Sequence, residues 1–397
     1  MTEPDRIVIV GGGPAGLSAA RAYRDSGGTG HITLLAAEQH PPYRRPPLTK
    51  EYLRGEIERD ELPIQPATWY MQSGVEFRPA TPASTLDVER GVVGVENGDE
   101  IPYDACVLAT GSEPVRPPIP GADDPEILTM RAVEDSTRLI SLAKEGTGAI
   151  IVGSGFIGCE AAASLAMRGV EVTVVSMDHL PQGALLGEET GERIRRWLEG
   201  HGVKLRLGAE VEEFRRNGDG FEVALAGSDT LSTRTVLLGT GVRPRTGLAE
   251  AAGLSVESGG ILTDSSMRTE APGVYAAGDI SYAYNASADR RLHVEHWGEA
   301  LNMGSVAGAV MAGKQEQWST SPGFWSTIGP RTIKYTAWGD GFDEARLVEH
   351  GEGEASEESF TVWYGLDGVC VGVLTHNYDR DYEEGRKLVE AGAPLPV

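Results

Sequence analysis

Residues 6–27, RIVIVGGGPAGLSAARAYRDSG, and residues 148–169, GAIIVGSGFIGCEAAASLAMRG, read alike. Each opens on a short apolar run, turns through glycines, and continues into an Ala-rich stretch of helical periodicity. Each then leads to another β-rich run, HITLL from His31 and VEVTVV from Val170. Strand, glycine turn, helix and strand make a β-α-β unit with its two strands parallel. Two such openings about 140 residues apart predict an α/β protein with two doubly wound domains.

The glycines carry the chemistry. Gly11, Gly13 and Gly16 form a G-x-G-x-x-G, in which Pro14 and Ala15 fill the spacer. The first glycine permits the tight turn, the second admits a pyrophosphate to the backbone, and the third lets helix pack on strand. The new helix then points its first N–H groups at the phosphates. Glu38, 22 residues after Gly16, is read as ending the second strand, where a carboxylate binds ribose hydroxyls. Gly153, Gly155 and Gly158 repeat the motif, but Ser176 stands at the expected acid position. Two dinucleotide sites in one chain suit a tight prosthetic group and a diffusible reductant, the division of labour of flavin and nicotinamide.

The rest of the 397 residues bounds the reading. A net charge of −24 repels nucleic acid and anionic membranes. No apolar run approaches the ~20 residues that span a bilayer, and the start MTEPD is acidic rather than signal-like, so a cytoplasmic protein is expected. Cys106, Cys159 and Cys370 are scattered, which argues against a disulfide framework, a metal site and a redox dithiol. Further strands are expected at ACVLAT from Ala105, TVLLGTG from Thr235 and GVYAAGD from Gly273, with an extended linker at EPVRPPIPG from Glu113. Around Phe360, FTVWYGLDGVCVGVLTHN predicts a hairpin turning at Leu366-Asp367-Gly368, and a closing helix from about Tyr382.

Five strings extend the pattern over nearly the whole chain: PPYRRPPLTK from Pro41, LATGSEPVRPPIPG from Leu108, LGTGVRP from Leu238, VYAAGDI from Val274 and HVEHWGEA from His293. With the two glycine motifs, they make the chain resemble the FAD-dependent ferredoxin reductases of oxygenase and cytochrome P450 electron-transfer chains. That is the putidaredoxin-, rubredoxin- and biphenyl-dioxygenase-reductase group of the glutathione-reductase fold. The resemblance implies a discontinuous FAD-binding domain (1–112 and 236–316), an NAD(P)H-binding domain (113–235) and a small C-terminal α+β domain (317–397).

It also implies roles. Pro14, Ala15 and Glu38 would meet the FAD phosphates and ribose, with Arg45 and Lys50 reaching toward the flavin. Thr110, Gly111 and Arg131 would lie along the cofactor. Gly278 and Asp279 would meet the ribityl chain, and His296 and Trp297 would sit by the isoalloxazine. Gly153, Gly155, Ile157, Gly158 and Gly241 would hold the nicotinamide nucleotide, with Ser176 at its ribose. Lys50 and Glu160 would pair beside the flavin as the catalytic couple. Bland alternatives stand beside these: Asp279 as a helix N-cap, Glu160 as a plain helix charge, and Trp325 as a core aromatic rather than a flavin-facing one. His296 reads as packing or hydrogen-bonding rather than acid–base.

The resemblance implies hydride transfer from NADH to FAD, with NADPH the weaker donor, and single electrons passed to a [2Fe–2S] ferredoxin or similar carrier. The protein would be a monomer or homodimer without a metal site. Three departures bear on specificity and the acceptor face: Ser176 for an acid, Gly323 for an aromatic, and Thr327 for Asp. Asp178 is near enough to share the missing acid's role, and His179 to assist a phosphate. Arg44, Arg290 and Arg291 are candidate steering groups for a partner. Two other readings compete: a nucleotide-sensing binding protein like apoptosis-inducing factor, and a cysteine-dependent flavin disulfide reductase or NADH oxidase, which residues 41–50 oppose by containing no cysteine.

Overall fold

A computed structural model of the chain describes residues 4–227, 229–351 and 359–396. Internal contacts divide it into two compact units. The first holds the residues up to Arg44, Leu62–Glu113 and Arg243–Phe324; the second holds Arg45–Glu61, Pro114–Val242 and the residues from Trp325 onward. The units divide after Glu113 and after Val242. The segment Arg45–Glu61 and the C-terminal strands group with the second nucleotide fold.

In the first unit a five-stranded parallel sheet runs in the order Val274–Ala276, Ala105–Leu108, Arg6–Val10, His31–Leu35, Val75–Arg78. Apart from the edge strand Val75–Arg78, these strands are near-continuous apolar runs, because a parallel sheet is covered on both faces. Val10 stands opposite both Leu35 and Leu108. Val8, Val10, Leu35, Cys106, Leu108, Val274 and Ala276 form one core. The sheet turns into the helix Pro14–Asp25 through Gly11–Gly13, with Pro at the first helical position and Gly13 as N-cap. That helix lies against the helix Trp297–Met311 at backbone distance: a Cβ at Gly304 would stand 2.2 Å from the Ala15 carbonyl oxygen, and one at Gly308 2.2 Å from that of Ala19. The second strand ends at Leu35, so Glu38 lies in the loop beyond it rather than at the strand end.

The second unit repeats the plan. Its parallel sheet runs Lys204–Leu207, Glu171–Ser176, Gly148–Val152, Thr235–Leu238, Leu128–Thr129. Phe214, Phe221 and Val223, from the antiparallel strands Val211–Asn217 and Gly220–Leu225, close one face of it with Ile150, Val152 and Val236. The C-terminal strands lie in the order Gly323–Ile328, Arg331–Ala337, Val369–His376, Phe360–Leu366, Glu344–Glu349. Phe360–Leu366 and Val369–His376 form the expected hairpin, turning at Asp367-Gly368. The closing helix is Asp379–Glu390, three residues earlier than the sequence pattern placed it. Asp379 and Asp381 sit in its first turn, where carboxylates favour the helix N-terminus.

Candidate functional site

The two glycine turns have the same anatomy, and the structure shows why each glycine is there. Gly11 has φ +135°, and a Cβ on it would stand 2.0 Å from the carbonyl oxygen of Ala109. Gly153 has φ +106° and would meet the Gly239 carbonyl oxygen at 2.3 Å. The third glycines, Gly16 and Gly158, would each place a Cβ 2.1 Å from the carbonyl oxygen of the first. The middle glycines differ: a Cβ on Gly13 or Gly155 meets nothing within 4 Å. Both adopt ordinary extended backbone, φ −98° and −73°. Packing therefore explains the first and third glycines, whereas no protein contact requires the middle ones.

The helices they open are uncapped. Neither Gly13 nor Gly155 offers a side-chain cap, and neither first turn holds an acid. Orphan N–H groups and the positive end of the helix dipole are thus left for an anion. The described residues fit a pyrophosphate at each turn. Ala15 is buried against Gly278, and Ile157 is 37% exposed on the second helix.

Other expected residues of the first unit gather on its parallel sheet. Asp279 is buried after the strand Val274–Ala276; Ser112 donates to its Oδ2 at 2.6 Å, and His293 Nε2 lies 2.8 Å from its carbonyl oxygen. Residues 281–285 continue as a strand, which excludes the helix N-cap reading of Asp279. Thr110 Oγ1 donates to the Arg245 carbonyl at 3.0 Å, and the Gly111 carbonyl accepts from the Arg245 N–H at 2.8 Å. Glu38 accepts from the Tyr43 hydroxyl at 2.6 Å. His296 caps the helix that Trp297 begins, its ring 5.0 Å from that of Phe324. Its Nδ1 is buried with no described partner, and burial pushes the imidazole down to about 4. A neutral ring with an unsatisfied nitrogen again suits a ligand rather than a closed core.

In the second unit, Glu160 is not a plain helix charge. It is buried, and its carboxylate collects four donors: Thr49 Oγ1 at 2.5 Å and Lys50 Nζ at 2.9 Å on one oxygen, Ser326 Oγ at 2.9 Å and the Thr327 N–H at 3.3 Å on the other. Lys50 and Glu160 side chains are each 6% exposed. An ion pair this buried survives only when the remaining lone pairs are satisfied, which Thr49 and Ser326 do. Ser164 and Ser136 hold the Thr49 and Leu48 carbonyls at 2.7 Å each, fixing the short helical turn Pro46–Thr49 that carries the lysine. Arg45 donates to the Arg131 carbonyl at 2.6 Å, while Arg131 N–H is held by Asp135 at 2.8 Å. Trp325 is 42% exposed, so it is not a core aromatic. Gly241 is exposed, with φ +93° and open space where a side chain would point.

Reading the sequence missed Thr49, Ser326, Ser112 and Ser154. No local signal marks them, since Ser326 and Glu160 lie 166 residues apart. The Arg291 guanidinium is tied to the carbonyl of Thr263, so it is a poor steering group. The three thiols are all buried; burial pushes Cys159 up to about 12, and its Sγ donates to the Ser154 carbonyl at 3.2 Å. None has the exposed, electropositive setting of a redox cysteine. No helix among the described residues is long and apolar enough to cross a membrane.

Comparison with known proteins agrees with this anatomy. Residues 5–304 match the family described as pyridine nucleotide-disulphide oxidoreductase. The chain is 31% identical to the biphenyl dioxygenase system ferredoxin–NAD(+) reductase component of Paraburkholderia xenovorans, over 97% of this chain and 93% of that protein. It is also 31% identical to apoptosis-inducing factor 3 of Mus musculus over 98% of its own length, yet spans only 64% of that relative. The crystal structure of the ferredoxin reductase for the CYP199A2 system of Rhodopseudomonas palustris superposes with a TM-score of 0.91 at 28% identity, covering 98% of this chain and 95% of that one. Two glycine turns on two parallel sheets and a matching profile across most of the sequence lead to one conclusion: the chain belongs to the pyridine nucleotide-disulphide oxidoreductase family.

Proposed function

We propose that the protein is an FAD-dependent NAD(P)H:ferredoxin oxidoreductase of the cytoplasm, passing single electrons to a [2Fe–2S] carrier that feeds an oxygenase or cytochrome P450. The observation that carries the reading is the pair of glycine turns whose middle residues alone are free of packing contacts. The oxygenase and P450 reductases among its relatives support the choice of acceptor. Bound flavin supplies the exchange between a two-electron hydride donor and a one-electron acceptor.

The chain's own residues bind and orient. Backbone N–H groups at Gly13, Ala15 and Gly16 would receive the FAD pyrophosphate, and Glu38 would take a ribose hydroxyl. Asp279, held by Ser112, accepts from the ribityl chain, with Gly278 admitting it closely. Thr110 and Gly111 would line the cofactor, with His296 and Trp297 beside its ring. Gly153, Gly155, Ile157, Gly158 and Gly241 hold the nicotinamide nucleotide. Lys50 contributes a positive charge that Glu160 fixes in place. Such a preset charge costs no reorganisation during transfer.

The test is direct. Purified protein should be yellow and should reduce a [2Fe–2S] ferredoxin with NADH, read through cytochrome c. A flavin-free protein, or one that no single-electron acceptor turns over, would overturn the proposal. The similarity to apoptosis-inducing factor 3 favours a second reading, a nucleotide-switched binding protein. That protein would instead show a long-lived reduced complex with negligible turnover.

A further inference from the structure

The strand Glu171–Ser176 delivers its last residue to the place where a nucleotide-reading acid normally stands, and here that residue is a buried serine. Its hydroxyl is already committed. Ser154, inside the second glycine turn and 1% exposed, donates to Ser176 Oγ at 2.9 Å. Ser176 Oγ in turn donates to Asp178 Oδ2 at 3.2 Å, and the Asp178 N–H returns to Ser176 Oγ at 3.2 Å. Ser176 Oγ thus gives its one proton and accepts twice, so it has no proton to offer a ribose. The carboxylate is different. Asp178 is exposed, enters no ion pair among the described residues, and has only Oδ2 engaged.

Its backbone is equally fixed. The Asp178 carbonyl accepts from Gly208 N–H at 3.0 Å, and the Ser176 carbonyl from Ala209 N–H at 2.9 Å. The His179 ring lies over Gly208, where an added Cβ would stand 3.0 Å from Nδ1. The loop after the strand is therefore pinned to the next strand's end, and the two serines join Asp178 to the same turn that bears the open Gly155. A charge held this way keeps its position when a ligand arrives, which is what discrimination between neutral and charged groups requires.

We infer that Asp178, two residues beyond the usual place, is the carboxylate that reads the adenosine ribose: it accepts from a 2′-hydroxyl and repels a 2′-phosphate. Ser154 and Ser176 are its positioning residues. The inference rests on the proposed nucleotide role of the second glycine turn, and it gives NADH preference a physical source despite the missing acid.

The experiment is calorimetric titration of the holoprotein with ADP-ribose and with 2′-phospho-ADP-ribose, which reads binding rather than turnover. Wild type should bind ADP-ribose at least ~10-fold more tightly, the scale of one hydrogen bond to a charged group. Asp178→Asn should shrink that ratio by ~10-fold or more, and Asp178→Lys should invert it by offering a cation to the phosphate. Ser176→Ala should lower the ratio by a smaller factor, about threefold, and Ser176→Thr should restore it; a merely structural role would weaken both ligands alike. An unchanged ratio in both Asp178 variants, or equal wild-type affinities, overturns the assignment of Asp178 while leaving a nucleotide site in place. Failure of wild type to bind either ligand overturns the nucleotide reading itself.

Discussion

Gly13→Val is expected to give a folded but colourless protein. Gly13 has φ −98° and ψ −173°, a conformation open to any residue, and an added Cβ has no neighbour within 4 Å. The substitution should lower the stability of flavin-stripped protein by only about 1 kcal/mol, the scale of replacing glycine by valine at a helix N-cap. Gly11→Ala should behave oppositely. Its Cβ would be forced to 2.0 Å from the Ala109 carbonyl at φ +135°, a cost of about 4 kcal/mol or more. For the ligand, the branched side chain at Gly13 holds the pyrophosphate off the turn by roughly a methyl diameter. At least two charge-assisted N–H bonds are then lost, at about 1.5–3 kcal/mol each. That is about 3–6 kcal/mol, or ~10²–10⁴ in affinity at 1.4 kcal/mol per decade. Flavin per polypeptide follows from the visible absorbance of purified protein, and folding from far-UV circular dichroism melts. Gly155→Val supplies the control, remaining yellow but losing ADP-ribose binding by a similar factor. Full flavin retention in Gly13→Val with a native melt would refute the assignment of FAD to this turn, and loss of flavin in Gly155→Val would refute the division between the two.

Other outcomes are as specific. Glu160→Leu should destabilise the second unit by about 3–5 kcal/mol, because Lys50 is left buried beside Thr49 and Ser326 without its counter-charge; a denaturant titration showing less than ~1 kcal/mol would contradict the buried pair. Replacing Cys106, Cys159 and Cys370 together by Ala should lower stability through lost packing yet leave NADH-to-dye activity within a few-fold of wild type. A stable triple variant slowed ~100-fold or more, equivalent to ~2.7 kcal/mol of barrier, would revive a cysteine relay. His296 is held below its ordinary 6.5, at about 4, so the unfolded chain binds its proton first. Its contribution to stability is therefore present above about 6.5 and lost as pH falls toward about 4. His296→Gln should flatten the melting-temperature profile across that window, and an unaltered profile would show that the acid sensitivity arises elsewhere.

Both glycine turns, the two parallel sheets, the hairpin at Phe360–Leu366 and the residues of the Lys50–Glu160 pair were legible in the amino-acid order. These features obey local rules: a glycine is needed where φ is positive or backbone meets backbone, and a buried parallel strand must be apolar along its length. Family resemblance supplied the pairing of Lys50 with Glu160, for no spacing rule joins residues 110 apart. Tertiary structure alone decided the rest. It placed Thr49, Ser326 and the Thr327 N–H around Glu160, set Ser112 on Asp279, excluded the N-cap reading, exposed Trp325 and committed the Ser176 hydroxyl to its neighbours. It also moved Glu38 off the strand and the last helix forward to Asp379. The physical reason is the cost of burying an unsatisfied polar group: each buried carboxylate must find its donors wherever the folded chain provides them, and serines and threonines that serve this way carry no mark in sequence.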